Sequence, residues 1–222
     1  VQTCALPICV YRTERLAHVE RIKKLFELIN PRILAPSAIT ANFWEAKSEC
    51  RHREVLVVPH ATLSYEKRLE GPPPDVADPA IVIAFLGSPA YHKGWPSFRR
   101  LIKKYGASGK YAFVVMSAKR PQQGEDEWLP VHVTTEDPQA MTRALKKRKV
   151  DLVLHWSSWP ETYSFTTLEA IAAGAFVITH EESGNVAALV RDSGRGLVLK
   201  NDSLELHALF ENDRSEEHTS EL

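Results

Sequence analysis

Residues 150–179 read "VDLVLHWSSWPETYSFTTLEAIAAGAFVIT". Two short apolar runs, 150–155 and 175–179, stand at its ends, and neither alternates as a strand with one wet face would. Between them an alanine-rich segment begins after Phe165 and stops at Gly174, a residue suited to a left-handed helix end. Continuously apolar strands separated by single helices predict a parallel sheet covered on both faces. The stretch also sets two glutamates, Glu161 and Glu169, eight residues apart, one on the loop before the helix and one inside it.

The same alternation extends outward. Upstream stand a strand "AIVIAFLG" (80–87), a helix over 97–105, a strand "YAFVVMS" (111–117), a strand "VHVTT" (131–135) and a helix over 137–148 with Asp137 as its cap. Downstream come a helix near 184–191 and a short strand "GLVL" (196–199). Residues 80–213 are thus expected to form one α/β domain with a Rossmann-like, doubly wound parallel sheet. Ligands of such folds bind at the carboxyl ends of the strands, beside helix N-termini. Nearer the start, Leu16, Val19, Ile22, Leu25, Phe26 and Ile29 recur at three and four, which predicts an amphipathic helix over 12–29. A strand "RILAPS" (32–37), a helix over 38–48 capped by Ser37, and a strand "EVLVVP" (54–59) follow. Residues 9–70 read as the C-terminal remnant of another domain. The proline-dense stretch that follows, 71–79, reads as the linker.

Composition narrows the partners. Lys+Arg and Asp+Glu both number 28, so nothing favours nucleic acid or an anionic membrane as the main partner. No apolar run approaches the roughly 18 residues that span a bilayer. Cysteines at 4, 9 and 50 make neither a disulfide framework nor a metal-ligand spacing, which suits a reducing, cytosolic compartment. Both ends look foreign. "VQTCALPI" (1–8) back-translates to GTT CAG ACG TGT GCT CTT CCG ATC, and the reverse complement of that string, shifted in frame, encodes "SEEHTSE" (215–221), the centre of the closing "RSEEHTSEL" (214–222). Both ends thus resemble a translated sequencing-library adapter, as expected of a metagenomic fragment, and are set aside from the fold.

Two constellations carry the chemistry. Ser164 or Thr162 can cap the helix of the opening stretch, leaving the amides of Phe165, Thr166 and Thr167 to form an anion site fit for a diphosphate. Glu169, a little over one turn in, could then accept hydrogen bonds from a ribose diol, and Glu161 from sugar hydroxyls. Acids near a helix start also suit the macrodipole, so the pair does not stand alone. The second constellation is "FLGSPAYHKGWPSF" (85–98), a strand-to-helix loop. Its Gly87 and Gly94 permit backbone close to a ligand, and Lys93 offers a mobile point charge for phosphate. It is neither G-x-G-x-x-G nor a P-loop. His155, Trp156 and Trp159, at the end of a strand beside this site, read either as packing or as stacking partners of a base or sugar. His60 reads as a hinge or packing residue, and "KKRK" (146–149) as a solvated helix end.

Taken together, "FLGSPAYHKGW" and "ETYSFTTLEAIAAGAFVI" resemble the C-terminal, nucleotide-sugar-binding domain of retaining glycosyltransferases of the GT-B architecture, family 4 (group 1). That family shows a Gly turn and a Lys-Gly pair about seventy residues before E-x7-E. "PETYS" is similar to members that build bacterial surface polysaccharides. The resemblance covers most of 80–200, and "RILAPSAITANFW" and "VLVVPHA" resemble the end of the family's N-terminal domain. It implies a hexosyltransferase-type enzyme that moves a sugar, with retention, from a nucleoside diphosphate sugar to a saccharide or lipid-linked acceptor. It implies no cofactor and no metal, and no D-x-D motif is present. It implies a cytoplasmic place at the inner face of the membrane, with peripheral contact through the N-terminal region. Lys93 matches the lysine that meets the donor diphosphate, Glu161 the acid near the donor sugar, and Glu169 the acid on the ribose. Gly87, Ser88, Gly94 and the loop Thr162, Tyr163, Ser164, Phe165 and Thr166 match donor-binding positions, and Ser183 and Gly184 approach the donor. Ser88 stands where the family often has arginine, and Ala175-Phe176 where it has a proline. As a fragment the chain is expected to bind nucleotide and to turn over poorly. The competing readings are a non-catalytic nucleotide- or sugar-binding α/β module and a GT-B sugar-nucleotide epimerase.

Overall fold

The computed structural model describes residues 12–60, 80–121 and 127–212, and the chain divides after His60 into two compact units. The first holds α1 (Arg12–Ile29), β1 (Arg32–Ala35), α2 (Ala38–Lys47) and β2 (Glu54–Val57). β1 and β2 pair in parallel from Arg32 opposite Glu54 to Ala35 opposite Val57, with α2 as the crossover. Ser37 caps α2 as expected, its Oγ accepting from the Thr40 amide at 3.2 Å. Phe26 of α1 stacks on Trp44 of α2 at 5.9 Å.

The second unit runs β3 (Ile81–Leu86), a 3₁₀ turn (Tyr91–Lys93), α3 (Trp95–Tyr105), β4 (Tyr111–Ser117), β5 (Glu127–Pro130) and α4 (Ala140–Arg148). It continues through β6 (Leu152–Leu154), α5 (Phe165–Ala173), β7 (Phe176–His180), α6 (Asn185–Ser193), β8 (Gly196–Leu199) and α7 (Ser203–Asn212). The six strands among its described residues are all parallel, in the order β5-β4-β3-β6-β7-β8. Counted within the unit this is third, second, first, fourth, fifth, sixth, the doubly wound order. The order reverses between β3 and β6. The apolar runs are explained by two buried layers. Val82, Ala84 and Leu86 point into a core with Met141, Leu145, Ala170, Ile171 and Val190. Ile83 and Phe85 point the other way, onto Phe98, Leu101, Leu206 and Phe210. The fold class expected from the sequence is thus observed: α/β, Rossmann-like, with helices on both faces of a parallel sheet.

Two local expectations are corrected and one helix is added. The strand in that region is Glu127–Pro130, not 131–135, because its neighbour β4 ends at Ser117. Past one last bond from the Val131 amide to the Ser117 carbonyl (3.2 Å), residues 131–135 have no strand to pair with among the described residues. The helix expected from 137 starts at Ala140 with no side-chain cap. Asp137 instead lies in the turn before it and pairs with Arg143. Helix α7 was not anticipated, although Leu206 and Phe210 stand four apart and both are buried. The linker 71–79 and both adapter-like ends lie outside the described residues. No helix among the described residues is long and apolar enough to cross a membrane.

Candidate functional site

At the carboxyl ends of β3 and β4 a cavity of 710 Å³ opens between the glycine turn after β3 and the first turns of α5. Gly87, Ser88, Phe165, Thr166 and Glu169 line it, so five of the residues singled out in the sequence meet on one wall. Gly87 sits at φ +83, and a Cβ placed there would lie 3.8 Å from Thr166 Cγ2, which faces the glycine turn onto α5. Its amide donates to the Met116 carbonyl at 2.8 Å. The rest of the wall is Ser117, Ala118 and Lys119 after β4, and Val131, Val133, Pro138 and Met141 around the segment before α4. Sequence reasoning missed these. The rule that α/β ligands lie beyond the carboxyl ends of strands already pointed at the end of β4, with Lys119 just past it.

Glu169 is 6% exposed, and no cation among the described residues pairs with it. Burial alone pushes its carboxyl up to about 7. Ser164, one of the two cap candidates, caps α5. Its Oγ accepts from the Thr167 amide at 3.3 Å and lies 2.9 Å from Thr167 Oγ1. Phe165 and Thr166, the first two residues of α5, line the cavity, so the start of the helix lies at its edge. Tyr163 meets Phe165 edge-on at 5.0 Å, and Thr162 is exposed.

Lys93 does not line the large cavity. It lines a neighbouring void of 10 Å³ together with His155 and Thr166. The turn that carries it is fastened to the loop after β6. The Ser158 amide donates to the His92 carbonyl at 2.9 Å, and the His92 ring stacks on Trp159 at 4.1 Å. Gly94, at φ +85, comes so close to this loop that a Cβ would lie 2.2 Å from the Trp156 carbonyl oxygen. Gly94 therefore serves close backbone packing. Trp156 is buried against His180 at 4.8 Å, which makes it a packing residue, whereas Trp159 keeps 47% of its surface exposed.

Glu161 stands apart from both voids. Its amide donates to the Ser183 carbonyl at 3.1 Å and its carbonyl accepts from the Asn185 amide at 2.8 Å, a bridge that ties the loop to the start of α6. Gly184 at φ +67 makes this approach feasible, since a Cβ would lie 2.6 Å from the Glu161 carbonyl oxygen. Glu161 Oε1, Asn185 Oδ1 and His180 Nδ1 are buried acceptors without a partner among the described residues. His60 lies in the first unit, and at the end of α4 Lys146, Lys147 and Lys149 are exposed as expected, whereas half-buried Arg148 pairs with Glu127 of β5 at 2.7 Å.

No family model and no curated protein sequence matches the chain. Among solved structures, sucrose-phosphate synthase from Thermosynechococcus elongatus superposes with a TM-score of 0.61 at 14% identity, over 96% of this chain and 55% of that one. Homoserine dehydrogenase from S. aureus reaches only 0.34 at 15% identity, over 55% of this chain and 33% of that one. L-Threonine dehydrogenase from Clostridium difficile reaches 0.32 at 12%, over 46% and 36%. The chain spans about half the length of the synthase it matches. What the comparison shows is the fold: the chain shares its α/β architecture with sucrose-phosphate synthase.

Proposed function

We propose that the chain is the donor-binding part of a glycosyltransferase. It would move a hexosyl unit, with retention, from a nucleoside diphosphate sugar to a saccharide or lipid-linked acceptor in surface polysaccharide synthesis, at the cytoplasmic face of the membrane. The observation that carries this reading is the cavity itself. A buried carboxyl with no cation paired to it, Glu169, and the N-terminus of α5 line one cavity with an apolar slot. Such a wall matches a nucleoside diphosphate piece by piece. Val131, Val133, Pro138 and Met141 suit the flat base, Glu169 the ribose diol, and the first turn of α5 the phosphates. Lys93 beside Thr166, and Lys119 across the cavity, supply the cations that a diphosphate requires. Lys119 offers the charge that Ser88 does not. Glu161 is left for the glycosyl unit, although its buried oxygen lines neither void and would have to be uncovered to meet a sugar hydroxyl.

Catalysis in this reading is electrostatic. The start of α5 and Lys93, which lines the neighbouring void, would meet the negative charge that grows as the diphosphate departs. The test is calorimetric titration of the chain with UDP, GDP and ADP. One nucleotide is expected to bind saturably, and Lys93→Ala or Glu169→Ala to weaken it about tenfold or more, roughly 1.4 kcal/mol. Folded protein that takes up none of the three would sink the reading. A nucleotide bound equally well by Lys93→Ala would favour the non-catalytic binding module.

A further inference from the structure

Three ring side chains follow β6, and the roles above leave all of them unused. His155 bonds inward, its Nδ1 lying 3.0 Å from Thr167 Oγ1. Trp156 is buried against His180. Trp159 differs from both, with 47% of its surface exposed. The imidazole of His92 covers one face of its indole, the ring centroids 4.1 Å apart and the planes 26° from parallel. That stack is its one ring contact among the described residues, so the exposed part is the opposite face and the ring edge. Its Nε1 makes no hydrogen bond among the described residues, which leaves an N–H donor unspent.

The indole is braced through its backbone as well. Ser157, fully buried, donates from Oγ to the Trp159 carbonyl at 3.0 Å, and its own carbonyl accepts from His180 Nε2 at 2.7 Å. The Ser158 amide holds the turn that carries His92 at 2.9 Å. A ring fixed on one face before contact gives up little freedom when a ligand lies on the other. The free surface is on the order of 100 Å², about half of what a tryptophan can bury, against about 800 Å² per partner in a standard protein interface. That is room for one six-membered ring. An indole face is electron-rich, and the C–H groups of a pyranose face are made electropositive by the neighbouring oxygens, so the two attract. The hydroxyls of such a ring stand at its rim, where the indole N–H and the exposed Ser158 are available. The base of a nucleotide has its own slot in the large cavity, which Trp159 does not line.

We propose that Trp159, backed by His92, is a stacking platform for one pyranose ring of a saccharide. That this saccharide is the acceptor rests on the donor-site reading above, in which Glu161, two residues further along the same loop, is left for the glycosyl unit.

The test follows the Trp159 indole N–H signal in ¹H–¹⁵N spectra of the whole chain, identified by its loss in Trp159→Phe. Methyl β-galactoside, methyl β-glucoside and methyl α-mannoside are titrated in, with glycerol as the control. At least one glycoside is expected to shift the signal saturably, with a Kd on the order of 10 mM, and glycerol is not. Affinities of the variants are read by saturation transfer to the glycoside. Trp159→Ala should weaken binding about tenfold or more, and Trp159→Phe, smaller and without the N–H, about threefold. His92→Ala, which leaves the indole but removes its backing, should also lose about threefold. Affinity for UDP, GDP and ADP should be unchanged in Trp159→Ala. No saturable shift with any of the three glycosides, a glycerol shift as large, or Trp159→Ala binding as well as wild type overturns the proposal. So does a signal that glycosides leave in place and neutral phosphatidylcholine vesicles broaden, which would make the indole a membrane anchor. If Trp159→Ala does not fold, Trp159→Phe and the wild-type shift decide. Wild type that takes a glycoside at Trp159 and no nucleoside diphosphate keeps the platform, and the donor-site reading falls together with the acceptor role. Wild type that binds a nucleotide and no glycoside keeps the donor-site reading and overturns the platform.

Discussion

The two units both contain parallel strands joined through helices, yet they bury them very differently. In the second unit every residue of β3 after Ile81 is buried, because α3 and α7 cover one face of the sheet and α4, α5 and α6 the other. In the first, Ala35 and Ala41 are the buried apolar side chains among the described residues, while Leu16 and Leu28 stand 61% and 83% exposed. A two-stranded parallel pair with one crossover helix has too few layers to bury both faces. Apolar spacing at three and four therefore reports that a helix has a face to bury. It does not report that the face is buried within the same unit.

The sharpest way to break this contrast is to cut into each unit. Phe98, fully buried between β3 and β4, should cost about 3–5 kcal/mol when changed to Ala, read as a fall in the urea midpoint of the second unit. Next comes Glu169. Its carboxyl titrates near 7 in the folded chain against 4.5 as the unperturbed value, so the fold holds a proton that the unfolded chain gives up between those limits. Stability should accordingly fall as pH rises from about 4.5 to 7, then level off. Glu169→Gln removes the fall: equal to wild type below that window, and more stable by roughly 1–3 kcal/mol at pH 8. Stability of the two proteins that stays parallel across this range would contradict the buried, unpaired carboxyl. Ser164→Ala, which removes the α5 cap, should cost about 1 kcal/mol. The smallest effect is expected in the first unit, where Leu28→Ala should stay within about 0.5 kcal/mol. A loss of more than 2 kcal/mol there would mean that the exposed face of α1 is covered in solution.

What could be read from the sequence followed from local causes. Continuous apolar runs marked β3, β4, β6 and β7, Gly174 marked the end of α5, and Ser37 and Ser164 marked helix starts, since each signal lies within a few residues of its effect. The misses have non-local causes. The apolar and β-branched "VHVTT" has the makings of a strand, but pairing stops where β4 stops, a fact that resides some fifteen residues away. Glu169 and the glycine turn were found from spacing, whereas the apolar half of the cavity comes from Val131, Val133 and Met141, which only the sheet order brings opposite them. His155 left packing and stacking open as a sequence reading. Its bond to Thr167 crosses from the end of a strand into the next helix, and twelve residues of separation hid it.

Helix α5 has no slack at either end. Ser164 holds its first turn, Gly174 at φ +89 closes its last, and the chain enters β7 only two residues later. Nine residues rise about 13 Å, so the start of the helix is located by the sheet to within the tolerance of a packed core. Its N–H groups consequently have their directions before any ligand arrives. In the donor-site reading an anion docking there would meet a finished mould, and the freedom lost on association would be almost wholly the anion's own.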